Sequence, residues 1–177
     1  PAARPQPGHK AVIAAGTGSA RLAELAGVTL PMLRRPGVMV RTEPIGERLP
    51  HVMVAPGLEF RSDDQGRLLV PTSPRHQADD SAALEQTAAE LAGGALKRLE
   101  SWLGSEVRAE TIWSADRPVP GDGRPVVGEV SDSRLHLAVM HSGVTLAAVT
   151  GEAVAGEVMG GAPVATLLAP YRPGRFG

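Results

Sequence analysis

No cysteine occurs among the 177 residues, which excludes disulfides and thiolate metal sites and leaves the redox compartment unmarked. Aromatic residues are scarce, at 3%, so bases have no stacking cluster to bind and the core must be built from Ala, Val and Leu. Neither sign of charge dominates, with 18 Lys and Arg against 19 Asp and Glu and no basic run, and a nucleic-acid partner is not expected. No apolar run reaches the ~18 residues that would mark a membrane span, and no charged-then-apolar leader opens the chain. A soluble, cytoplasmic protein is expected. Of the histidines His9, His51, His76, His136 and His141, no two stand at i, i+4, and no metal site is expected.

Glycine and proline, in contrast, are plentiful, at 21 and 16. PAARPQPGHK reads as irregular chain. The strand AVIAA (Ala11 to Ala15) follows abruptly and runs into GTGSAR, where a helix opens. That turn imitates the dinucleotide fingerprint G-x-G-x-x-G, but Arg21 takes the third glycine position, where close packing of helix on strand needs glycine. Arg41 and Thr42 also stand where an acidic residue should close a second strand, with Glu43 just beyond. It therefore does not read as a primary fingerprint. One account is a plain strand-turn-helix connection, with Ser19 as N-cap and Gly27 past the C-terminus.

From Leu33 the composition shifts to short β-rich runs, RRPGVMVRTEP, HVMVAP, LEFRS and RLLVP, with DDQG (Asp63 to Gly66) as the clearest hairpin signal. These predict an antiparallel sheet. Asp79 to Leu91 and Ala95 to Leu103 read as two helices broken at Gly93 and Gly94, and EVRAETIW as a returning strand. The boundaries are compositional: 1–34 and 114–177 form one half and 35–113 the other. The fold class is α/β (α+β).

The stretch from Ile112 to Gly151 carries the chemistry. A Pro- and Gly-rich loop that contains Arg117 precedes a strand at Leu135 to Met140, the turn His141-Ser142-Gly143 and a helix from about Val144 to Met159. Gly143 lets backbone approach a ligand closely. The helix start directs free N–H groups and a positive dipole end at the same point, which suits an electron-rich ligand. His141 and Ser142 are not expected to work as a hydrolase pair, because neighbours in extended chain point to opposite sides. Arg117 next to Asp116 could be no more than a weak loop ion pair.

RPVPGDGRPVVG, MHSGVTLAAVTGEAVAGEVMGG and LAPYRPGRF together resemble the C-terminal part of the FAD-dependent amino-acid oxidoreductases, the D-amino acid, glycine and sarcosine oxidases and dehydrogenases. VIAAGTGSARLAELAGV and RRPGVMVRTEP resemble earlier blocks of that family, in the same order, so the likeness spans about residues 10 to 176. It implies the C-terminal part of a two-domain flavoprotein: a partial FAD-binding Rossmann-like domain plus an antiparallel-sheet substrate domain.

The resemblance further implies that Ala15, Gly16 and Ser19 belong to an AAG-x-x-S turn contacting FAD, with Gly18 where the family often has a bulky aromatic. It implies that His141, Ser142, Gly143, Val144 and Thr145 contact the flavin, and that Arg117, in R-P-x-x-x-D-G-x-P, holds the carboxylate of a small amino acid or amine substrate. YRPGRF would close over the fold; alternatively it is a frayed tail. The unit binding the ADP half of FAD is expected to lie in a missing N-terminal region or a companion chain. Two other functions remain open, a flavin-free remnant and an interaction module.

Overall fold

β1 (Ala11–Ile13) gives way to a one-turn 3-10 helix at Gly16–Gly18, which leads directly into α1 (Ser19–Leu25). The computed structural model describes residues 9–46, 49–72, 81–131, 133–160 and 165–176, with backbone alone for 81–87 and 165–166. α1 ends as the sequence suggests: the Val28 and Gly27 N–H groups donate to the Ala23 and Glu24 carbonyls at 3.0 and 2.9 Å. Its start differs. Ser19 lies inside the helix rather than capping it, and the cap position is Gly18, which has no side chain to accept the free N–H groups.

After β2 (Met32–Leu33) the chain builds a sheet of its own. β3 (Pro36–Thr42), β4 (Met53–Ala55), β5 (Leu58–Ser62), β6 (Leu68–Pro71) and, later, β7 (Ala109–Asp116) form five antiparallel strands in the order β4-β5-β6-β3-β7. Strict alternation along β3 sends Val38 and Val40 to one face, and Val40 pairs with Val70 across β6. The hairpin at Asp63 forms because its Oδ1 accepts the Gln65 and Arg67 N–H groups at 2.8 and 3.0 Å, closing the turn locally.

α2 (Ser81–Leu103) covers the sheet's apolar face as one helix. Two helices broken at Gly93 and Gly94 were expected, and this is a correction. Each glycine weakens a helix by about 1 kcal/mol, but Ala92, Ala95 and Leu99 on either side are fully buried against Val40, Leu58, Phe60, Leu68 and Val70. Burial of that face outweighs local propensity. Trp102 adds an edge-on contact to Phe60, ring centroids 5.2 Å apart. The expected helix start at Asp79 lies outside the described residues.

The chain then continues through β8 (Val119–Pro120), β9 (Val126–Glu129), β10 (Leu135–Val139), α3 (Ala147–Val158) and the short α4 (Ala165–Leu168). Two compact units result, one from Pro1–Arg34 with Arg117–Gly177 and one from Arg35–Asp116. In the first, β1 runs parallel to β10 and β10 antiparallel to β9, giving a three-stranded sheet. Leu137 and Val139 face Ala23 and Leu30 on one side, whereas Val127 and Met140 face Ala153 and Val154 on the other. β9 lies inside what the sequence suggested was loop, its apolar run VVG being hidden among prolines and glycines. α3 starts three residues later than expected, and only Ala153 and Val154 on it are buried.

Candidate functional site

Parallel pairing of β1 with β10 decides where the site lies. Ala11, Val12 and Ile13 pair with Leu135, His136 and Leu137, so both strands deliver their following turns to the same carboxyl edge of the sheet. A crevice beyond the carboxyl ends of parallel strands is where ligands bind in open α/β sheets. Ala15, Gly16 and Ser19 follow β1 at this edge, and His141 to Thr145 follow β10. The pairing thus brings all eight residues to one end of one unit.

The first turn is braced from within. The Gly18 N–H donates to the Ala15 carbonyl at 3.0 Å, and the Ala15 N–H donates to the Ser19 hydroxyl at 3.1 Å. Ser19 is completely buried, so its hydroxyl holds the turn. Gly16 has φ +57°, a conformation open to glycine at little cost, and a Cβ there would meet no atom within 4 Å. Backbone conformation alone accounts for this glycine.

In the second turn the left-handed residue is Ser142, at φ 60°, and not Gly143. The expectation that His141 and Ser142 point apart fails for this reason: the segment is not extended, and Ser142 Oγ lies 2.9 Å from His141 Nδ1. The contact pins the turn. The Leu146 N–H then donates to the Ser142 carbonyl at 3.0 Å and the Ala147 N–H to the Val144 carbonyl at 3.4 Å. Among the described residues, the N–H groups of Gly143, Val144 and Thr145 have no acceptor, and all three residues are exposed. Exposed N–H groups without an acceptor, next to a left-handed residue, favour negative charge. Gly143 has ordinary space around it, a Cβ coming no nearer than 3.8 Å to the Met140 carbonyl oxygen.

Arg117 stands on a different element, where the chain re-enters this unit between β7 and β8. Its carbonyl accepts the Val119 N–H at 2.9 Å, and β8 then pairs with β2. Nearby, Asp122 forms a double contact with Arg175, Nε to Oδ2 at 2.7 Å and Nη2 to Oδ1 at 2.9 Å. The guanidinium hydrogen bonds hold the Asp122 carboxyl at about 2, well below its ordinary 3.8. Sequence reasoning singled out the blocks containing these two residues but not their pairing, which joins positions 53 apart. YRPGRF is therefore no frayed tail: Pro173 is buried and Phe176 packs on the sheet. Among the described residues, no group of His, Asp and Glu could hold a metal ion, and no helix is long and apolar enough to cross a membrane.

A family model described as "DAO: FAD dependent oxidoreductase" matches residues 3–157. No curated protein sequence matches the chain. Among solved structures it is similar to glycine oxidase from Geobacillus kaustophilus, with 27% identity, TM-score 0.63 and coverage of 91% of this chain and 44% of that one. It also resembles L-amino acid deaminase from Proteus myxofaciens in complex with anthranilate, with 19% identity, TM-score 0.71 and coverage of 94% and 49%. Iminodiacetate oxidase from Chelativorans sp. BNC1 gives 23% identity, TM-score 0.64 and coverage of 96% and 47%. The last two likenesses concern the fold. The chain spans less than half the length of each of these proteins.

Proposed function

The chain belongs to the FAD-dependent oxidoreductase family, and on that premise we propose that it forms part of an enzyme oxidising the carbon–nitrogen bond of a small amino acid to an imine. Glycine, a D-amino acid or an N-methyl amino acid is the substrate class. The observation that carries this reading is the turn at His141 to Thr145, with its three unpartnered N–H groups at the sheet edge from which the Ala15–Ser19 turn also emerges.

FAD suits this turn, because the donors there are neutral amides matched to the electron-rich end of a flavin, and Gly143, Val144 and Thr145 are exposed. When bound, the flavin supplies the acceptor for the hydride equivalent leaving the substrate carbon. Gly143, Val144 and Thr145 would hold the electron-rich end of the flavin through their N–H groups. Ser142 and His141 hold those donors in place, and Ala15, Gly16 and Ser19 shape the neighbouring turn. Arg117 binds the substrate carboxylate through its planar fork and so orients the carbon to be oxidised. The ADP half of FAD requires further contacts, from an N-terminal region or a companion chain, since GTGSAR carries Arg21 in place of the packing glycine.

The test is to titrate FAD with this chain joined to the region or companion chain that binds the ADP half, follow the flavin spectrum, and add glycine or D-alanine to the complex without oxygen. Bleaching by the amino acids, but not by methylamine or ethylamine, supports the reading. Absence of any flavin binding, or equal bleaching by the amines, refutes it.

A further inference from the structure

We propose that Asp122 and Arg175 act as a clamp that positions Arg117, making them a pair of positioning residues for the carboxylate site. The proposal rests on the reading of Arg117 given above. It starts from how little regular structure the loop contains. Between Arg117 and Pro125 there are only the two residues of β8, and glycines stand at 121 and 123. Such a segment has much conformational entropy to lose, and a side chain on it is only as well placed as its backbone.

Three ties fix the loop. The first is the pairing of Met32 and Leu33 with Pro120 and Val119. The second is the Gly121 N–H donated to the Pro31 carbonyl at 2.8 Å, an approach so close that a Cβ on Gly121 would lie 2.9 Å from the Pro31 Cβ. The third is the clamp. Asp122 receives both Nε and Nη2 of Arg175, and its Oδ1 also accepts the Arg124 N–H at 3.0 Å. Arg175 Nη2 donates as well to the Arg124 carbonyl at 3.1 Å, and Nη1 donates to the Tyr171 and Arg172 carbonyls at 3.0 and 3.2 Å. The same guanidinium lies 4.4 Å from the centre of the Phe176 ring, and Phe176 is packed on the sheet.

Every nitrogen of Arg175 is thus engaged, which sets the contact apart from an ordinary surface ion pair of negligible effect. Through this side chain the loop bearing Arg117 gains a side-chain mooring to the body of the unit, beside its two backbone ties. Its own backbone then carries the constraint back to Arg117 through the Val119 N–H and Arg117 carbonyl bond. An anchor ordered in advance loses less entropy when a carboxylate binds.

Hydrogen exchange on the chain itself tests the clamp. Asp122→Asn keeps the acceptor for the Arg124 N–H and removes the charge. It should raise exchange at the Val119, Gly121 and Gly123 amides about tenfold, as for losing a charge-assisted contact. Arg175→Lys keeps charge without the fork and should give a smaller rise, and the β10 amides should stay as in the parent. Unchanged loop amides, or an equal rise throughout β9 and β10, would overturn the proposal.

In flavin-loaded protein, Asp122→Asn should raise KM for glycine while leaving kcat, and all constants for methylamine, as they were. Arg117→Ala run in parallel separates the two readings. If Arg117→Ala raises KM for glycine and Asp122→Asn does not, the clamp is refuted. If Arg117→Ala has no effect on glycine, the anchor reading fails and the exchange data alone judge the clamp.

Discussion

Replacing Gly128 with alanine puts one methyl group where the structure has no room for it. Gly128 lies in β9 opposite Leu137, at φ +117°, a conformation that L side chains rarely adopt. A Cβ there would overlap the Arg172 guanidinium and lie 3.1 Å from Glu157 Oε2. These two side chains form an ion pair in which the Glu157 side chain is only 9% exposed. The methyl must therefore either shift the strand or push Arg172 off a nearly buried carboxylate. The backbone strain contributes about 1–2 kcal/mol and the overpacking about 1–3 kcal/mol, so a loss of about 2–5 kcal/mol is expected for the pair of effects. Urea unfolding followed by circular dichroism measures it. The decisive comparison repeats the substitution in an Arg172→Ala background, where the overlap with Arg172 is gone and the cost should fall towards the backbone strain, about 1–2 kcal/mol. Equal cost in both backgrounds would refute this account of Gly128.

Arg117→Ala in flavin-loaded protein should lower kcat/KM for glycine by a factor corresponding to about 1.5–3 kcal/mol and leave methylamine unaffected, as steady-state kinetics on both substrates would show. Lysine at the same position should recover only part of the loss, because it lacks the planar fork. The Asp122 carboxyl is depressed from 3.8 to about 2 by Arg175, so its contribution is complete above pH 4 and falls away as the pH drops towards 2. With its side chain one-third exposed, that contribution is about 1 kcal/mol after allowance for screening, and Asp122→Asn should flatten this part of an acid-unfolding profile. Gly93→Ala should stabilise α2 by about 0.5–1 kcal/mol in thermal unfolding, since a Cβ there meets nothing within 4 Å and the helix is continuous.

Local pattern made the second unit legible: the alternation of Val38 with Val40 and of Leu68 with Val70 identifies strands without knowledge of their partners. The pair Gly93 and Gly94 misled because propensity is local and burial of Ala92, Ala95 and Leu99 is not. In the first unit the limits lie in long-range pairing. Nothing in AVIAA or LHLAVM reveals that they run side by side, yet that contact assembles the two turns. The turn after β10 was visible as HSG, but glycine is the natural candidate for left-handed backbone, and only the structure assigns it to Ser142. His136 is wholly buried in β10, which a histidine in an otherwise apolar strand does not announce. The Asp122–Arg175 contact was invisible for the same reason as the strand pairing: its partners are far apart in sequence, and charge complementarity alone selects no pair among 18 cations and 19 anions.

The central claim is that the backbone between Ser142 and Thr145 receives a flavin. Gly143→Val tests it most directly, because φ at this residue is not left-handed and a Cβ meets only ordinary contacts within the chain, so the substitution changes what can approach the turn more than the turn itself. FAD fluorescence should be titrated with the parent chain and the variant, with circular dichroism recorded on both. The account predicts unchanged secondary structure and an affinity weakened by about tenfold or more, the effect of losing one or two backbone donors to a ligand. Equal affinity of parent and variant for FAD would contradict it.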